Sequence, residues 1–309
     1  MKFTIFQNSR QGPRQYNQDR IAYCYSKDAI LAVVADGMGG HLYGEVAARF
    51  AVKMLTEAFQ HLAMPILANP LKFLSDHIIQ VHDAIGRHAL AQDWPDCPRT
   101  TLVAAVMQHD ELYCAHVGDS RLYHIRDGKI IFRTEDHSKV RMLYRKGLIS
   151  KAELHTHPER NKVYNCVGGE TPPQVDLAAR RALWSGDVVM LCTDGLWSLL
   201  SSNEIGAALS SGAVTDSVPT LLDLAESRAD QNGDNMSVIA VNWGEQPGTP
   251  QISTATMPMD LTTTIMGPLE DDSCGTNAKV GDVPDLSDEE IENSIAEIQA
   301  AIKKIPKQS

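Results

Sequence analysis

The chain lacks several features that would each fix a functional class. Its six cysteines (Cys24, Cys97, Cys114, Cys166, Cys192 and Cys274) include no CxxC pair. That absence argues against zinc ribbons and dithiol redox motifs, and leaves reduced, mostly buried thiols in a reducing compartment. There is no basic tract, and the formal net charge is −11, which argues against a nucleic-acid partner. No apolar run reaches the roughly 18–20 residues needed to span a bilayer. The N-terminus, MKFTIFQNSR, turns polar too soon for a signal peptide. Together these gaps predict a soluble, cytoplasmic protein that engages neither membrane nor nucleic acid.

What is present divides unevenly. The 309 residues, 43% of them apolar, suffice for one large domain. From Glu245 onward 12 acidic residues face 4 basic ones, which leaves only −3 on the first 244 residues. Residues 244–284 are rich in Pro, Thr, Ser, Gly and Asp, and read as a disordered acidic linker. Within 285–305, Leu286–Glu290 offers capping chemistry and Ile291, Ile295, Ile298 and Ile302 recur at helical spacing. An isolated amphipathic helix of that length is marginal, so it is expected to dock on a partner.

The first 243 residues alternate strands with paired helices. Strands are predicted over 2–7, 21–25, 30–35, 100–107, 111–117, 121–126, 129–133, 187–193 and 236–243. Helices are predicted over 43–62, 71–91, 139–146, 202–209 and 214–230. Asp127-Gly128 is a strong hairpin signal. Residues 136–169, rich in Lys, Arg and His, have the texture of a surface excursion. His155 and His157 stand without further ligands at metal spacing, so surface or capping roles are expected for them. Strand-rich blocks with accompanying helix pairs suggest two packed sheets with helices outside, an α+β fold.

The organising stretch is ILAVVADGMGG, from Ile30 to Gly40. It reads as a buried strand ending in a carboxylate and a glycine-rich turn. Three readings compete: a tight turn capped by Asp36, a nucleotide-binding loop, and a hard-metal site. The second fares poorly, because the spacing is not GxGxxG and a carboxylate would repel a pyrophosphate. An isolated Asp-Gly is most often just a turn. Asp36 is not isolated, however. Asp194 and Asp234 also sit at strand boundaries beside glycine or asparagine, Asp19 lies in the polar loop 12–19, and Asp119 makes a fifth. Brought together, these carboxylates would repel one another without cations, and oxygen-only ligands select Mg²⁺ or Mn²⁺.

Five segments carry a resemblance: RQYNQD (Arg14–Asp19), VVADGMGGH (Val33–His41), GDSR (Gly118–Arg121), CTDGLW (Cys192–Trp197) and GDNMSVI (Gly233–Ile239). In this order and spacing, across about residues 1–243, they resemble the metal-dependent protein phosphatases of type 2C, the PPM family, in its compact bacterial form. The resemblance implies a four-layer α-β-β-α sandwich with two central antiparallel sheets flanked by helix pairs. It implies that Asp36 bridges two Mn²⁺ or Mg²⁺ ions. Asp194 and Asp234 would complete the first ion's protein ligands, and Asp19 with the Gly37 carbonyl would serve the second. Asp119, with Asp194, would contribute to a weaker third ion. Arg14 would hold the substrate phosphate, and residues 136–169 would form the flap beside the site.

The activity implied is hydrolysis of phosphoserine and phosphothreonine in proteins. A metal-bridging hydroxide attacks phosphorus directly, and the reaction reverses a eukaryotic-like Ser/Thr kinase. A monomer is expected. Two positions depart from the eukaryotic pattern. Gln18 replaces a metal-binding glutamate, and Met38 replaces a histidine proposed as general acid. His41 is the nearest titratable candidate, with loop packing as its competing role. Two alternatives stay open: a non-catalytic phosphoprotein-binding relative, and a small-molecule phosphatase on the same scaffold. The C-terminal segment, with Thr254, Thr256 and Thr262–Thr264, is a candidate tether to a kinase or scaffold.

Overall fold

The computed structural model describes residues 1–38, 43–154, 156–210, 212–229, 231, 233–244 and, as backbone only, 264–266. The chain begins with β1 (Phe3–Arg10), β2 (Asp19–Tyr25) and β3 (Ala29–Asp36), then the helices α1 (Gly44–Leu62) and α2 (Pro70–Ala91). There follow β4 (Arg99–Thr100), β5 (Leu102–Gln108), β6 (Glu111–Val117), β7 (Arg121–Arg126), β8 (Lys129–Arg133) and α3 (Lys139–Arg145). The second half holds β9 (Val167–Gly168), β10 (Asp176–Leu177), β11 (Arg181–Ala182), β12 (Val188–Cys192), α4 (Asp194–Trp197), α5 (Ser202–Ser210), α6 (Val214–Arg228), β13 (Met236–Trp243) and β14 (Thr264–Met266).

Two antiparallel sheets form the centre. One runs β1-β13-β12-β7-β8. The other runs β10-β6-β5-β3-β2-β14, with β11 also on β6. The strands are apolar on both faces because both faces are covered. In β3, Leu31, Val33 and Ala35 pack outward with Phe50, Leu55, Leu74 and Ile78 of α1 and α2. The alternate residues Ile30, Ala32 and Val34 pack inward with Leu191, Ile239 and Val241 of the other sheet. That sheet's outer face, including Met190, Cys192 and Val238, is covered by Ile205, Val218 and Leu222 of α5 and α6. Three apolar layers between four structural ones make the expected α-β-β-α sandwich.

Several predicted elements change on folding. The strand expected over 100–107 is split: Arg99–Thr100 pairs with Val167–Gly168, while Leu102–Gln108 enters the large sheet. Between them the Thr101 side chain and backbone turn to hold Asp36. Asp127-Gly128 forms the hairpin turn expected, both residues at positive φ (48° and 71°). The segment read as a disordered linker contains one described piece. Thr264–Met266 adds to the edge of β2, with Thr264 opposite Tyr23 and Met266 opposite Ile21. An open edge offers unpaired N–H and C=O groups, and Thr-Ile-Met has the propensity to use them. The helix expected over 285–305 lies outside the described residues.

The smaller sheet is pinned by one buried carboxylate. Asp187, just before β12, accepts from His124 Nε2 (2.8 Å), Arg126 Nε (2.7 Å) and Nη2 (2.6 Å), and the Trp184 amide (2.8 Å). These bonds outweigh its burial and hold its carboxyl well below the usual range. Replacing Asp187 with Ala leaves the buried His124 ring and the part-exposed Arg126 without their acceptor. It should cost about 1–3 kcal/mol, measured as the shift in urea unfolding free energy.

Candidate active site

The aspartates meet at one end of the seam between the sheets. Asp19 and Asp36 are direct partners across the β2–β3 ladder. Directly paired residues project to the same face, where like charges are destabilising. Two residues along, Ile21 and Val34 belong to the layer between the sheets, so the period of two points both carboxylates into that seam. Thr193 and Ser237 reach Asp19 from the opposite sheet, in step with Leu191 and Ile239. Thr193 Oγ1 donates to Asp19 Oδ2 at 2.9 Å, and Ser237 also bonds this carboxylate. Asp194 opens α4 and Asp234 precedes β13. Asp119 lies where the chain crosses from β6 in one sheet to β7 in the other.

The loops are locked by polar side chains that the sequence reading passed over. The Asp36 backbone is clasped by Thr100 and Thr101. Thr100 Oγ1 donates to its carbonyl at 2.9 Å, the Thr101 amide donates to the same oxygen at 2.9 Å, and the Asp36 amide donates to Thr101 Oγ1 at 3.2 Å. Asn235 staples the loop 11–18: its Oδ1 accepts from the Gln18 amide, and its Nδ2 donates to the Gln11 and Tyr16 carbonyls. Trp197 Nε1 donates to the Asp119 carbonyl at 2.9 Å, with Arg121 stacked on the indole. Arg121 in turn grips Asp136 through two 2.7 Å bonds. All but Thr100, Thr101 and Asp136 stand inside the five motif segments, each next to or near an aspartate, so adjacency was the available signal.

Gly37 serves by close approach. A Cβ there would sit 2.5 Å from the Gly44 carbonyl and 2.8 Å from that of Gln18. Gly195 is equally tight, its Cβ position 2.0 Å from the Asn235 carbonyl. Arg14 stands at the mouth, about half exposed. It donates from Nη2 to Asp234 Oδ2 at 2.8 Å and from Nε to the Gly233 carbonyl at 3.0 Å. Gln18 Nε2 donates to Glu45 at 3.1 Å. His41 lies outside the described residues. His157, as expected, caps locally, accepting from the Glu159 amide.

The electrostatics are those of an uncompensated anionic cluster. Burial, opposed by the Ser237 and Thr193 bonds but reinforced by Asp194 and Asp234, pushes Asp19 up to about 7. Asp194 rises to about 6 through burial and Asp234, and shares a hydrogen bond with Asp36. Asp36 and Asp119 are raised well above the ordinary carboxylate range, first by burial and then by the other aspartates. Asp36 and Asp194 keep an edge open at the mouth, yet both sit deep among protein atoms. Asp19 Oδ1 and Asp194 Oδ1 are buried with no hydrogen-bond donor. Such orphaned anionic oxygens fit a hard divalent cation, which takes oxygen ligands and demands no proton donor. Asp19, Asp36, Asp194, Asp234 and the Gly37 carbonyl are the groups available to hold Mn²⁺ or Mg²⁺.

Residues 7–232 match the family model for protein phosphatase 2C. The chain belongs to the protein phosphatase 2C family. As a member, it is a protein phosphatase. It is 32% identical over 240 residues to "Serine/threonine phosphatase stp" of Listeria welshimeri, covering 76% of this chain and 94% of that protein. Its fold is similar to that of the Mycobacterium tuberculosis serine/threonine phosphatase PstP/Ppp (TM-score 0.69, 29% identity, 79% of this chain and 99% of that one). It is also similar to the PstP catalytic domain crystallised with two manganese ions (TM-score 0.63, 28% identity, 78% and 98% coverage). The phosphatase depends on a divalent metal, in keeping with the oxygen-only donor set.

The raised carboxyls dictate a pH response. Between about pH 4 and 7 the folded, cation-free protein binds more protons than the unfolded chain, so its stability falls as pH rises through that window. In EDTA the melting temperature should drop between pH 6 and pH 8. Excess Mn²⁺ should abolish most of that drop, and Asp36→Asn should raise the EDTA melting temperature at pH 8.

Proposed function

We propose that this phosphatase hydrolyses phosphoserine and phosphothreonine in proteins, using two Mn²⁺ or Mg²⁺ ions held by the aspartate cluster and a third, weaker one at Asp119 with Asp194. The observation that carries this is the pair of buried, donor-less carboxylate oxygens on Asp19 and Asp194, with Asp36 paired to Asp19 across the ladder and in contact with Asp194, beside an exposed arginine fork. The ions, when bound, supply a water made nucleophilic near neutral pH and positive charge against the phosphoryl oxygens.

The protein's own groups do the rest. Asp36, with carboxylates from both sheets around it, is the residue that would hold the ions together with Asp19, Asp194 and Asp234. Arg14 offers a planar fork at the mouth, where phosphate oxygens can take the place of the Asp234 carboxylate. Attack on phosphorus is direct, with the serine or threonine oxygen leaving in line. No side chain of the cluster forms a phosphoenzyme. Burial pushes the Cys114 and Cys192 thiols up to about 12 and raises Cys97 and Cys166, so none of these four supplies a thiolate nucleophile at neutral pH. Met38 carries no proton for the leaving oxygen.

On this reading the enzyme reverses a Ser/Thr kinase in the cytoplasm, a reducing compartment that suits cysteines forming no disulfide among the described residues. The segment 245–309 serves as a tether to that kinase or to a scaffold. Intact Arg14, Asp19, Asp36, Asp194 and Asp234 favour turnover over mere phosphoprotein binding.

Hydrolysis of a phosphothreonine peptide should require Mn²⁺ or Mg²⁺, stop in EDTA, and be lost in Asp36→Asn. Folded protein that binds Mn²⁺ yet leaves the peptide intact would contradict the proposal. Arg14→Ala should raise KM by about 10–100-fold, the worth of a charged hydrogen-bonded pair at roughly 1.5–3 kcal/mol, with Arg14→Lys intermediate.

A further inference from the structure

Outside the aspartate cluster, His116, His137 and Asp176 place one ligand atom each within 4.8 Å of one another. Such a set invites a zinc reading, but the hydrogen bonds around it argue against one. The Gly118 amide donates to His137 Nδ1 at 3.1 Å, and Asn165 Nδ2 lies 2.7 Å from the same nitrogen. The Asn165 amide is oriented by Gln174, donating to its carbonyl at 2.7 Å and accepting from its N–H at 3.0 Å. Two donors on Nδ1 leave the ring proton on Nε2, which is 3.1 Å from Asp176 Oδ2. A metal at Nε2 would turn an Nδ1 proton against the Gly118 N–H. His116 spends Nε2 on the Glu135 carbonyl and stacks on His137, with ring centroids 4.7 Å apart. The arrangement orients one imidazole.

That imidazole grips the peptide next to Asp119. Besides the ring contact, the His137 amide donates to the Gly118 carbonyl at 2.9 Å. On its other side Gly118, at φ +100°, presses on Thr101, where a Cβ would lie 2.6 Å from the threonine Cβ. His137 also closes the flap. Its carbonyl accepts from the Tyr164 amide at 2.9 Å, and the adjacent Ser138 bridges to Val163. Both ends of the flap therefore converge on the residue that clamps the Asp119 loop.

We propose that His137 is a positioning residue whose Nδ1, by holding Gly118, sets the Asp119 carboxylate and couples the flap to cation binding there. This rests on the reading of Asp119 as a ligand of the weaker third ion.

Two variants separate the ring's two contacts. In His137→Asn the amide oxygen falls where Nδ1 stood and can still accept from Gly118, while the contact to Asp176 is lost. In His137→Gln the longer amide can reach Asp176, while the Gly118 acceptor is lost. Mn²⁺ is titrated into the full chain, and free Mn²⁺ is followed by electron paramagnetic resonance. The unmodified protein should show two tight ions and a weaker class that Asp119→Asn removes. His137→Gln should weaken that class by about 10–100-fold, the usual effect of losing a ligand's support, with the tight ions unchanged. His137→Asn should stay within about threefold of the unmodified protein. Comparable melting temperatures for the two variants would rule out general destabilisation as the cause. Equal weakening in both variants, or none in either, overturns the proposal. Two tight ions with no weaker class also overturns it, while leaving the hydrolase reading intact. Absence of tight ions would end both.

Discussion

Everything at the functional end of this protein depends on carboxylates forced together where they repel. Asp19 and Asp36 face each other across a ladder, and Asp194 shares a hydrogen bond with Asp36. Two unit charges about 4 Å apart at an effective dielectric near 20 repel by about 4 kcal/mol. A fold with one or two such terms to spare must recover them elsewhere, because whole domains are stable by only about 5–15 kcal/mol. The recovery lies in three apolar layers and in the polar clasps that fix the loops. Divalent cations turn the same repulsion into affinity.

The seam between sheets is a physically suitable place for such a cluster. Each sheet is apolar on both faces; Asp19 and Asp36 lie at strand ends of one, and Asp194 and Asp234 lie just beyond β12 and just before β13 of the other. The carboxylates therefore come from elements that cannot easily move apart without breaking the layer between them. Where the chain leaves the strands, residues without a side chain allow backbones to touch, as Gly37 does at Gly44 and Gly195 at Asn235. Thr100, Thr101, Thr193 and Asn235 then satisfy the exposed backbone and orient the carboxylates. The site is made mostly of hydrogen-bonded loop ends held by an apolar vice.

Much of this was legible in the sequence. The strands Glu111–Val117, Arg121–Arg126, Lys129–Arg133 and Met236–Trp243 have the expected limits, because alternation or continuous apolar runs end at clear turn residues. The aspartates stood out as charges placed where a core should continue. Sheet membership was not legible: β1 pairs with β13 across the whole domain, a choice set by long-range packing rather than local pattern. Glycine at 37 is a residue type that allows positive φ or close backbone approach, and the structure uses the close approach. The short strands β9, β10 and β11 carry too few residues to show a period. The roles of Thr101 and His137 depend on partners far along the chain. The strand at Thr264–Met266 sits in a stretch whose composition reads as unstructured, and only the open edge of β2 gives it a place.

The central claim is that the seam cluster is a two-ion site. Anomalous diffraction at the manganese edge, from crystals of the full chain grown with Mn²⁺, tests it most directly. The account predicts two strong peaks between Asp19, Asp36, Asp194 and Asp234, both touching Asp36 and one the Gly37 carbonyl. A single peak, peaks away from Asp36, or occupancy at His116 and His137 in place of the aspartates would contradict it.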